Sequence, residues 1–462
     1  MPPIAKRVLV IGLDCAAPQL VFDRFAGELE NLQRLMTQGV WGTLRSVIPA
    51  ITVPAWACSM TSRDPGQLGI YGFRNRKDHS YEGMSMANSL AVREPAVWDL
   101  LSQAGKHVIM VAVPPSFPPK PVNGCMVGCF LTPGIDSDYT HPSDLKDEIA
   151  RVIGTYHVDV ENFRSDEKER ILAQIREMTL GHFKLFRHLL RTRPWDFAMM
   201  VEIGVDRMHH GFWQYFDEQH HRYEPGNAYE HAIRDYYRLV DREVGELLRE
   251  IDDETAVIVM SDHGAKLMQG GICVNEWLMQ EGYLTLKSRP PEPKPFALED
   301  VDWSRTKAWG EGGYYGRIFL NVRGREPQGI VPPDGREALR DELSAKLSAI
   351  TDEQGKALGT RVFKPEAIYR AVRNVAPDLI AYFGDLNWRS VATVGTGKIH
   401  TYENDTGPDD ANHAEEGTLI LRAPGLEPRP RAEGLNLVDI GPTALTLLGE
   451  PVPDEMIGKA LV

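Results

Sequence analysis

A chain of 462 residues, 42% apolar and 25% charged, is globular in composition and has room for two or three domains, or for one large core carrying an insertion. Lys and Arg number 51 against 65 Asp and Glu; the net charge of −14 argues against a nucleic-acid partner, since the chain would repel phosphate backbones before meeting them, but leaves room for a small phosphate held through a local cation. Five cysteines, Cys15, Cys58, Cys125, Cys129 and Cys273, are too few and too irregular for a disulfide framework, and the Cys125/Cys129 pair has no second pair to complete a zinc knuckle. They read as buried, reduced thiols.

The first apolar run is too short for a signal peptide, and no run of about 18 apolar residues is present to span a bilayer. The expectation is a cytoplasmic protein with no membrane partner. Residues 8–13 form a two-sided apolar run ending in Asp14, the pattern of a parallel strand buried on both faces. Pro54, with Thr52 just ahead of it, is placed as a first-turn helix proline. Residues 107–113 read as a further strand running into Pro114. Ile171, Ile175, Met178, Phe186 and Leu189 mark an amphipathic helix that Pro194 stops. Residues 197–203 repeat the buried-strand pattern and lead to Gly204 and Asp206. A second amphipathic helix, carrying Ile233, Tyr236, Val240, Val244 and Leu247, precedes a strand at 256–260 that leads to Ser261, Asp262, His263 and Gly264.

Strand, helix and strand at these lengths imply right-handed crossovers and a layered α/β core. Ligands of such sheets bind beyond the carboxyl ends of the strands, where these Asp and His residues fall. From about residue 265 the chain changes character. Residues 289–293 look like a Pro-rich linker, 310–316 are Gly- and Tyr-rich, 317–322 read as a strand and 332–350 as a helix. The chain then returns through strands at 377–382 and 417–421 and a helix over 438–448. The expected organisation is a catalytic core of residues 1–264 and 376–462, interrupted by an α+β cap and substrate-specificity region over 265–375.

Asp14, Asp206, His210, Asp262, His263 and His413 offer carboxylate and imidazole donors, a set that suits zinc or manganese without thiolate. Asp206 and His210, four apart, share one face of a helix; His209, three apart, reaches the same face, so spacing leaves the two histidines open. Asp262 and His263 aim at one place only if the strand has ended, and Gly264 supplies the turn. Singly, each residue reads as an ordinary turn, cap or core position; the weight comes from four strand ends that each offer such ligands. A Thr52 hydroxyl at a helix N-terminus would meet unpaired N–H groups and the positive end of the dipole, a place that binds phosphate and favours an alkoxide. Taken alone, Thr52 is a helix N-cap. Lys266 reads as solvated, Trp309, Tyr314 and Tyr315 as aromatics that either stack on a base or pack the cap, and Arg74, Arg76 and Lys77 as a basic surface cluster.

In this order the residues resemble the alkaline phosphatase superfamily, in its type I phosphodiesterase/nucleotide pyrophosphatase branch, over nearly the whole chain from Gly12-Leu13-Asp14 to Gly425. The motifs are an early Asp (Asp14), T-x-P (Thr52, Pro54), D-x-x-x-H (Asp206, His210), D-H-G (Asp262, His263, Gly264) and a late His (His413) in Asn412-His413-Ala414-Glu415-Glu416-Gly417. The resemblance implies an alkaline phosphatase-like three-layer α/β sandwich with a mostly parallel central sheet and a smaller inserted cap. It implies two divalent metal ions, zinc before manganese. Asp206, His210 and His413 would hold one, and Asp14, Thr52, Asp262 and His263 the other. Thr52 would attack phosphorus in line to give a phosphoryl-threonine that water then releases, the ions holding the attacking and leaving oxygens.

The activity implied is that of a metal-dependent phosphoesterase on a small phosphodiester or pyrophosphate-linked substrate, nucleotide-like ones included. The family's Asn, three residues after the Thr, is here Ala55, so a donor to the phosphoryl oxygen is missing or comes from backbone or cap, and the substrate need not be a nucleotide. The chain also lacks the leader of the animal enzymes and looks like a cytosolic bacterial or archaeal relative. A phosphomutase or phosphomonoesterase of the same superfamily is the alternative. A sulfatase is set aside, since its C/S-x-P-x-R signature would need Cys or Ser at Thr52 and Arg at Trp56. A non-catalytic binding protein on this fold would have lost one of the seven positions, and all are filled.

Overall fold

In the computed structural model, which describes residues 2–462, the first apolar run is the strand Arg7–Leu13. It pairs in parallel with Phe197–Glu202 on one side and Thr255–Met260 on the other, Val8 lying opposite both Phe197 and Ala256. Helices cover both faces of the sheet, so both alternating sets of side chains are apolar and the run is continuous. Leu9 and Ile11 pack into a layer with the helices Lys168–Thr192, Gly204–Phe216 and Ala232–Leu248. Val8 and Val10 pack into the opposite layer with Thr52–Thr61, Val97–Gln103 and Ile440–Leu447.

The nine-stranded sheet runs in the order Ala432–Asn436, Val40–Arg45, Glu416–Arg422, Thr255–Met260, Arg7–Leu13, Phe197–Glu202, Val108–Val111, Gly124–Val127, Thr140–His141. The stretch from Thr255–Met260 to Gly124–Val127 is parallel throughout. This is the three-layer, mostly parallel sandwich that the sequence implied. Glu416–Arg422, third from one edge, is antiparallel to both neighbours, and Thr140–His141 at the other edge is antiparallel to Gly124–Val127. Glu416–Arg422 follows directly from Ala411–Ala414, which pairs antiparallel with Gly264–Leu267, so the returning chain enters the sheet from its carboxyl end.

Smaller sheets lie beyond that end. Ala308–Glu311, Gly316–Leu320, Leu379–Tyr382 and Arg361–Phe363 form an antiparallel sheet, and Gly270–Cys273 pairs with Trp388–Val391 and His400–Thr401. A separate apolar cluster, with Trp277, Trp303, Trp309, Phe319 and Leu343, supports them. Arg76 corrects the surface reading of its basic cluster. It is buried, bonded to Glu326 at 3.2 Å and set over the Trp309 ring at 5.1 Å, although Arg74 and Lys77 are exposed. Among the described residues no helix is long and apolar enough to cross a membrane.

Gly12 lets the central strand pass beneath the helix that begins at Thr52. A Cβ at this position would lie 2.6 Å from the Trp56 ring and 2.7 Å from Val201. Gly12→Val is expected to destabilise the fold by about 1–3 kcal/mol through overpacking, seen as a lower urea midpoint at unchanged slope. A wild-type midpoint would show that Trp56 is free to move aside.

Candidate active site and metal centre

Neighbouring parallel strands end at one level, and the residues just past them converge. Asp14 follows Arg7–Leu13, and Asp262 and His263 follow Thr255–Met260. Asp206 and His210 stand in the helix Gly204–Phe216, which follows Phe197–Glu202. His413 is delivered by the short ladder in which it lies opposite Ala265. Thr52 opens the helix Thr52–Thr61. None of the seven is more than 3% exposed.

They form two groups, Asp14/Asp262/His263 and Asp206/His210/His413, and within each group the potential ligand atoms all lie within 4.8 Å of one another. The His263 and His413 rings stack between the groups with centroids 3.9 Å apart. The structure thus brings together every residue singled out as a ligand or nucleophile. It also separates the two histidines that spacing left open. His209 turns into the helical layer, with Nε2 3.1 Å from the Tyr237 hydroxyl, while His210 Nε2 lies 3.1 Å from Asp206 Oδ1.

The partners of the three imidazoles fix their tautomers. His210 Nδ1 faces Asp409 Oδ1 at 2.7 Å, His263 Nδ1 faces the Gly264 carbonyl at 3.1 Å, and His413 Nδ1 faces the Ala50 carbonyl at 3.0 Å. Each Nδ1 therefore carries the proton and donates, leaving an Nε2 lone pair turned to the cluster. These lone pairs meet other lone pairs. His210 Nε2 is 3.2 Å from His413 Nε2, and His263 Nε2 is 3.3 Å from Asp262 Oδ2. Asp14 Oδ1 and Asp262 Oδ2 are buried without a hydrogen-bond partner. Converging acceptors of this kind need cations between them, and oxygen plus imidazole donors fit divalent ions such as zinc or manganese.

Protonation reflects the same crowding. Burial, then the Asp206 carboxylate, pushes Asp14 well above the usual carboxylate range; burial, then Asp14, does the same to Asp262. Burial also opposes the charged form of Asp206, but His210 and Arg207 outweigh it and hold this carboxyl well below the usual range. Burial lowers His263 to about 4. For His210, burial is outweighed by Asp409 and Asp206, which push it up to about 9, so without a cation its Nε2 also holds a proton toward Asp206, and the lone pair is free only when an ion takes that proton's place.

Thr52 differs from the N-cap reading. Ile51 occupies the cap position, no side chain caps the helix, and Thr52 is the first helical residue. Its hydroxyl is released to point at the cluster and lies 3.3 Å from His263 Nε2, to which it donates. Pro54 has no N–H and that of Ala55 is taken by the Ile51 carbonyl, so the free first-turn donors are those of Thr52 and Val53. Ala55 itself is buried in the core layer and offers no side-chain donor.

Several residues of the site were not legible in the sequence. Trp56 Nε1 donates to Asp14 Oδ2 at 2.7 Å. Asp409 holds His210 and is itself gripped by Arg164 Nε at 2.9 Å and Arg389 Nη1 at 3.1 Å. Its only signal is an acidic pair shortly before His413, and no spacing rule ties it to a histidine 199 positions earlier. Of the cap aromatics, Tyr314 alone joins the site, stacking on His413 at 4.0 Å and His210 at 4.9 Å. Trp309 packs on Phe319, Tyr315 donates to the Tyr71 carbonyl, and Lys266 donates to the Asp385 carbonyl at 2.7 Å. All five cysteines are free and buried as expected, but Cys15 borders the cluster.

An α/β sandwich with carboxylates and imidazoles gathered beyond its central strands, and a hydroxyl at a helix head among them, defines a hydrolase of the alkaline phosphatase type. The profile of the Type I phosphodiesterase / nucleotide pyrophosphatase family matches residues 8–409. The chain belongs to this family, and with it to the phosphoester- and pyrophosphate-cleaving enzymes of the alkaline phosphatase superfamily. No curated protein sequence matches it.

Similar solved structures include phosphonoacetate hydrolase from Sinorhizobium meliloti 1021 in complex with phosphonoformate, at 18% identity over 95% of this chain and 94% of that one, TM-score 0.60. Another is an inactive form of murine ectonucleotide pyrophosphatase / phosphodiesterase 5 in complex with AMP, at 13% identity over 97% of this chain and 96% of that one, TM-score 0.52. The human counterpart of the latter gives the same values. At these identities the likeness is one of fold.

Because Asp409 fixes the ring and tautomer of His210, Asp409→Asn is expected to weaken zinc binding about 10- to 100-fold in a chelator-competition titration, with the fold intact by circular dichroism. Unchanged affinity would show that the carboxylate serves the two arginines alone.

Proposed function

We propose that the chain is a metal-dependent phosphoesterase that cleaves a small phosphodiester or pyrophosphate-linked substrate, with Thr52 as nucleophile. One observation carries the reading: the Thr52 hydroxyl, at the head of a buried helix, lies against two converging carboxylate–imidazole groups. Asp14, Thr52, Asp262 and His263 would hold one divalent ion, and Asp206, His210 and His413 the other, zinc before manganese. Bound there, the ions supply Lewis-acid stabilisation of charge on the attacking and leaving oxygens.

The chain's own residues do the rest. The first turn of the helix presents the N–H groups of Thr52 and Val53 and the positive end of its dipole to a phosphoryl oxygen. Thr52 Oγ1 forms the bond to phosphorus as the leaving oxygen departs with its electron pair, giving a phosphoryl-threonine. Water then attacks the phosphorus, the phosphorylated product leaves, and the hydroxyl is restored. Trp56 keeps the Asp14 carboxylate in place, and Asp409, Gly264 and Ala50 keep the three imidazoles in theirs.

We assign specificity to the region 265–375, which contributes Tyr314, against a catalytic core of 1–264 and 376–462 from which Leu379–Tyr382, Trp388–Val391 and His400–Thr401 also pair into the cap's sheets. Five unpaired cysteines fit a reducing compartment such as the cytoplasm. A phosphomutase is the second reading, favoured by the closure of the site: Thr52 is only 2% exposed and Tyr314 stacks over His413, and a mutase must keep water from the phosphoryl enzyme.

The decisive assay offers the metal-loaded protein bis-p-nitrophenyl phosphate, p-nitrophenyl phosphate and phosphonoacetate side by side. Thr52-dependent turnover that favours the diester is expected. Preference for the monoester moves the assignment to a phosphatase, preference for phosphonoacetate to phosphonate cleavage, and no turnover despite bound metal brings the mutase forward. Thr52→Ala should keep fold and metal content and lose several orders of magnitude in turnover, and near-wild-type turnover would sink the mechanism. His413→Ala should lose one ion preferentially, and unchanged metal stoichiometry in that variant would show that another residue completes the second group.

A further inference from the structure

Cys15 is the one side chain at the centre that the two-ion reading leaves without a task. It follows Asp14 directly and is fully buried. Its backbone lies in the left-handed region at φ 66°, a conformation that glycine adopts freely and other residues rarely. Its N–H donates to Asp262 Oδ1 at 3.2 Å, and its Sγ lies 3.4 Å from the Gly264 carbonyl. The sulfur also forms a third potential ligand group with His263 and His413, all three donor atoms lying within 4.8 Å of one another. Those histidines belong one to each of the other two groups, so the sulfur stands at the boundary between them. Asp14, its neighbour in the chain, and Asp262, which accepts its N–H, each keep a buried oxygen with no partner.

We propose that Cys15 is a further metal ligand, whose sulfur binds one of the two ions of this centre and turns its preference toward zinc over manganese. The inference rests on the two-ion reading above. Thiolate is a soft donor that zinc accepts, whereas manganese prefers carboxylate, carbonyl and water; a set of carboxylates and imidazoles alone separates the two metals less. On binding, the sulfur–metal bond forms from a sulfur lone pair and the thiol proton leaves to solvent, with no change of oxidation state.

The test is cobalt substitution of the full chain, comparing wild type with Cys15→Ala and Cys15→Gly. The glycine variant removes the thiol and suits the left-handed backbone, so the comparison survives if the alanine variant folds poorly. Wild type is expected to show a near-ultraviolet sulfur-to-cobalt charge-transfer band beside the visible ligand-field bands. Both variants should lose the first and keep the second, with cobalt still bound. In zinc-against-manganese competition, the preference for zinc should fall roughly tenfold or more in the variants, the scale on which changes around a metal site act. Bound cobalt without the sulfur band in wild type, a band that persists in the variants, or an unchanged zinc preference would overturn the inference alone. A wild type that binds no cobalt would overturn the two-ion reading and the inference with it.

Discussion

The constraint on which the site depends is the burial of lone pairs that face one another. Three carboxylates and three imidazoles are taken almost wholly out of water, where an unpaired charged or polar group costs several kcal/mol. The surroundings relieve this only in part, through Trp56 to Asp14 Oδ2, the Cys15 N–H to Asp262 Oδ1, Arg207 to Asp206 Oδ2 and the Thr52 hydroxyl to His263 Nε2. They make the rest permanent: each Nδ1 is bound to a carbonyl or carboxylate, so no ring can turn its N–H inward. Even with those donors, Asp14 Oδ1 and Asp262 Oδ2 are left bare. A protein would not keep such an arrangement for stability, since apolar residues of like volume would serve better. Cations held between the two groups, as proposed above, would complete it.

The fold creates this crowding at little structural expense. Parallel strands in register end together, so the residues after each strand are neighbours whatever their separation in sequence. That is why Asp14, Asp206, Asp262 and His263 were legible: a buried apolar run followed by a polar residue is a local signal, repeated at each strand. His413 entered the donor set by residue type, but its grouping with Asp206 and His210 came only from the family resemblance, because it arrives on an antiparallel ladder that no periodicity announces. Spacing offered two histidines after Asp206, and the choice of His210 depends on tertiary partners, Asp409 on one side and Tyr237 drawing His209 to the other.

Asp409, Arg164 and Arg389 were invisible for the same reason. They act through a residue far away in sequence, and acidic and basic residues in a loop read as solvated. Arg76 shows that error in another place, since a charged residue in a short strand was read as surface but is buried by the cap folding over it. Thr52 was read with two roles open, and the structure removes the capping one by putting Ile51 at the cap position.

The cap is tied to the segment of Thr52 as well as to the candidate ligands. The segment leading into Thr52 is held from the far side of the chain: the Tyr382 hydroxyl accepts from the Ala50 N–H at 2.9 Å, and the Tyr369 hydroxyl donates to the Ile48 carbonyl at 2.6 Å. The Ala50 carbonyl in turn orients His413. On the other side Asn412 Nδ2 donates to the Tyr314 carbonyl at 3.1 Å, binding the aromatic roof to the residue next to His413. Displacing the roof to admit substrate therefore pulls on the strand that carries a ligand. The position three residues after Thr52 holds an alanine sunk in the core layer, so this helix contributes backbone N–H groups and no side chain to grip the phosphoryl group. Discrimination between substrates must then come from what the cap brings to the mouth. Arg164, from the core side, joins the two parts: its guanidinium is bonded both to Asp409, which orients His210, and to Tyr314 of the cap, and its side chain remains 24% exposed.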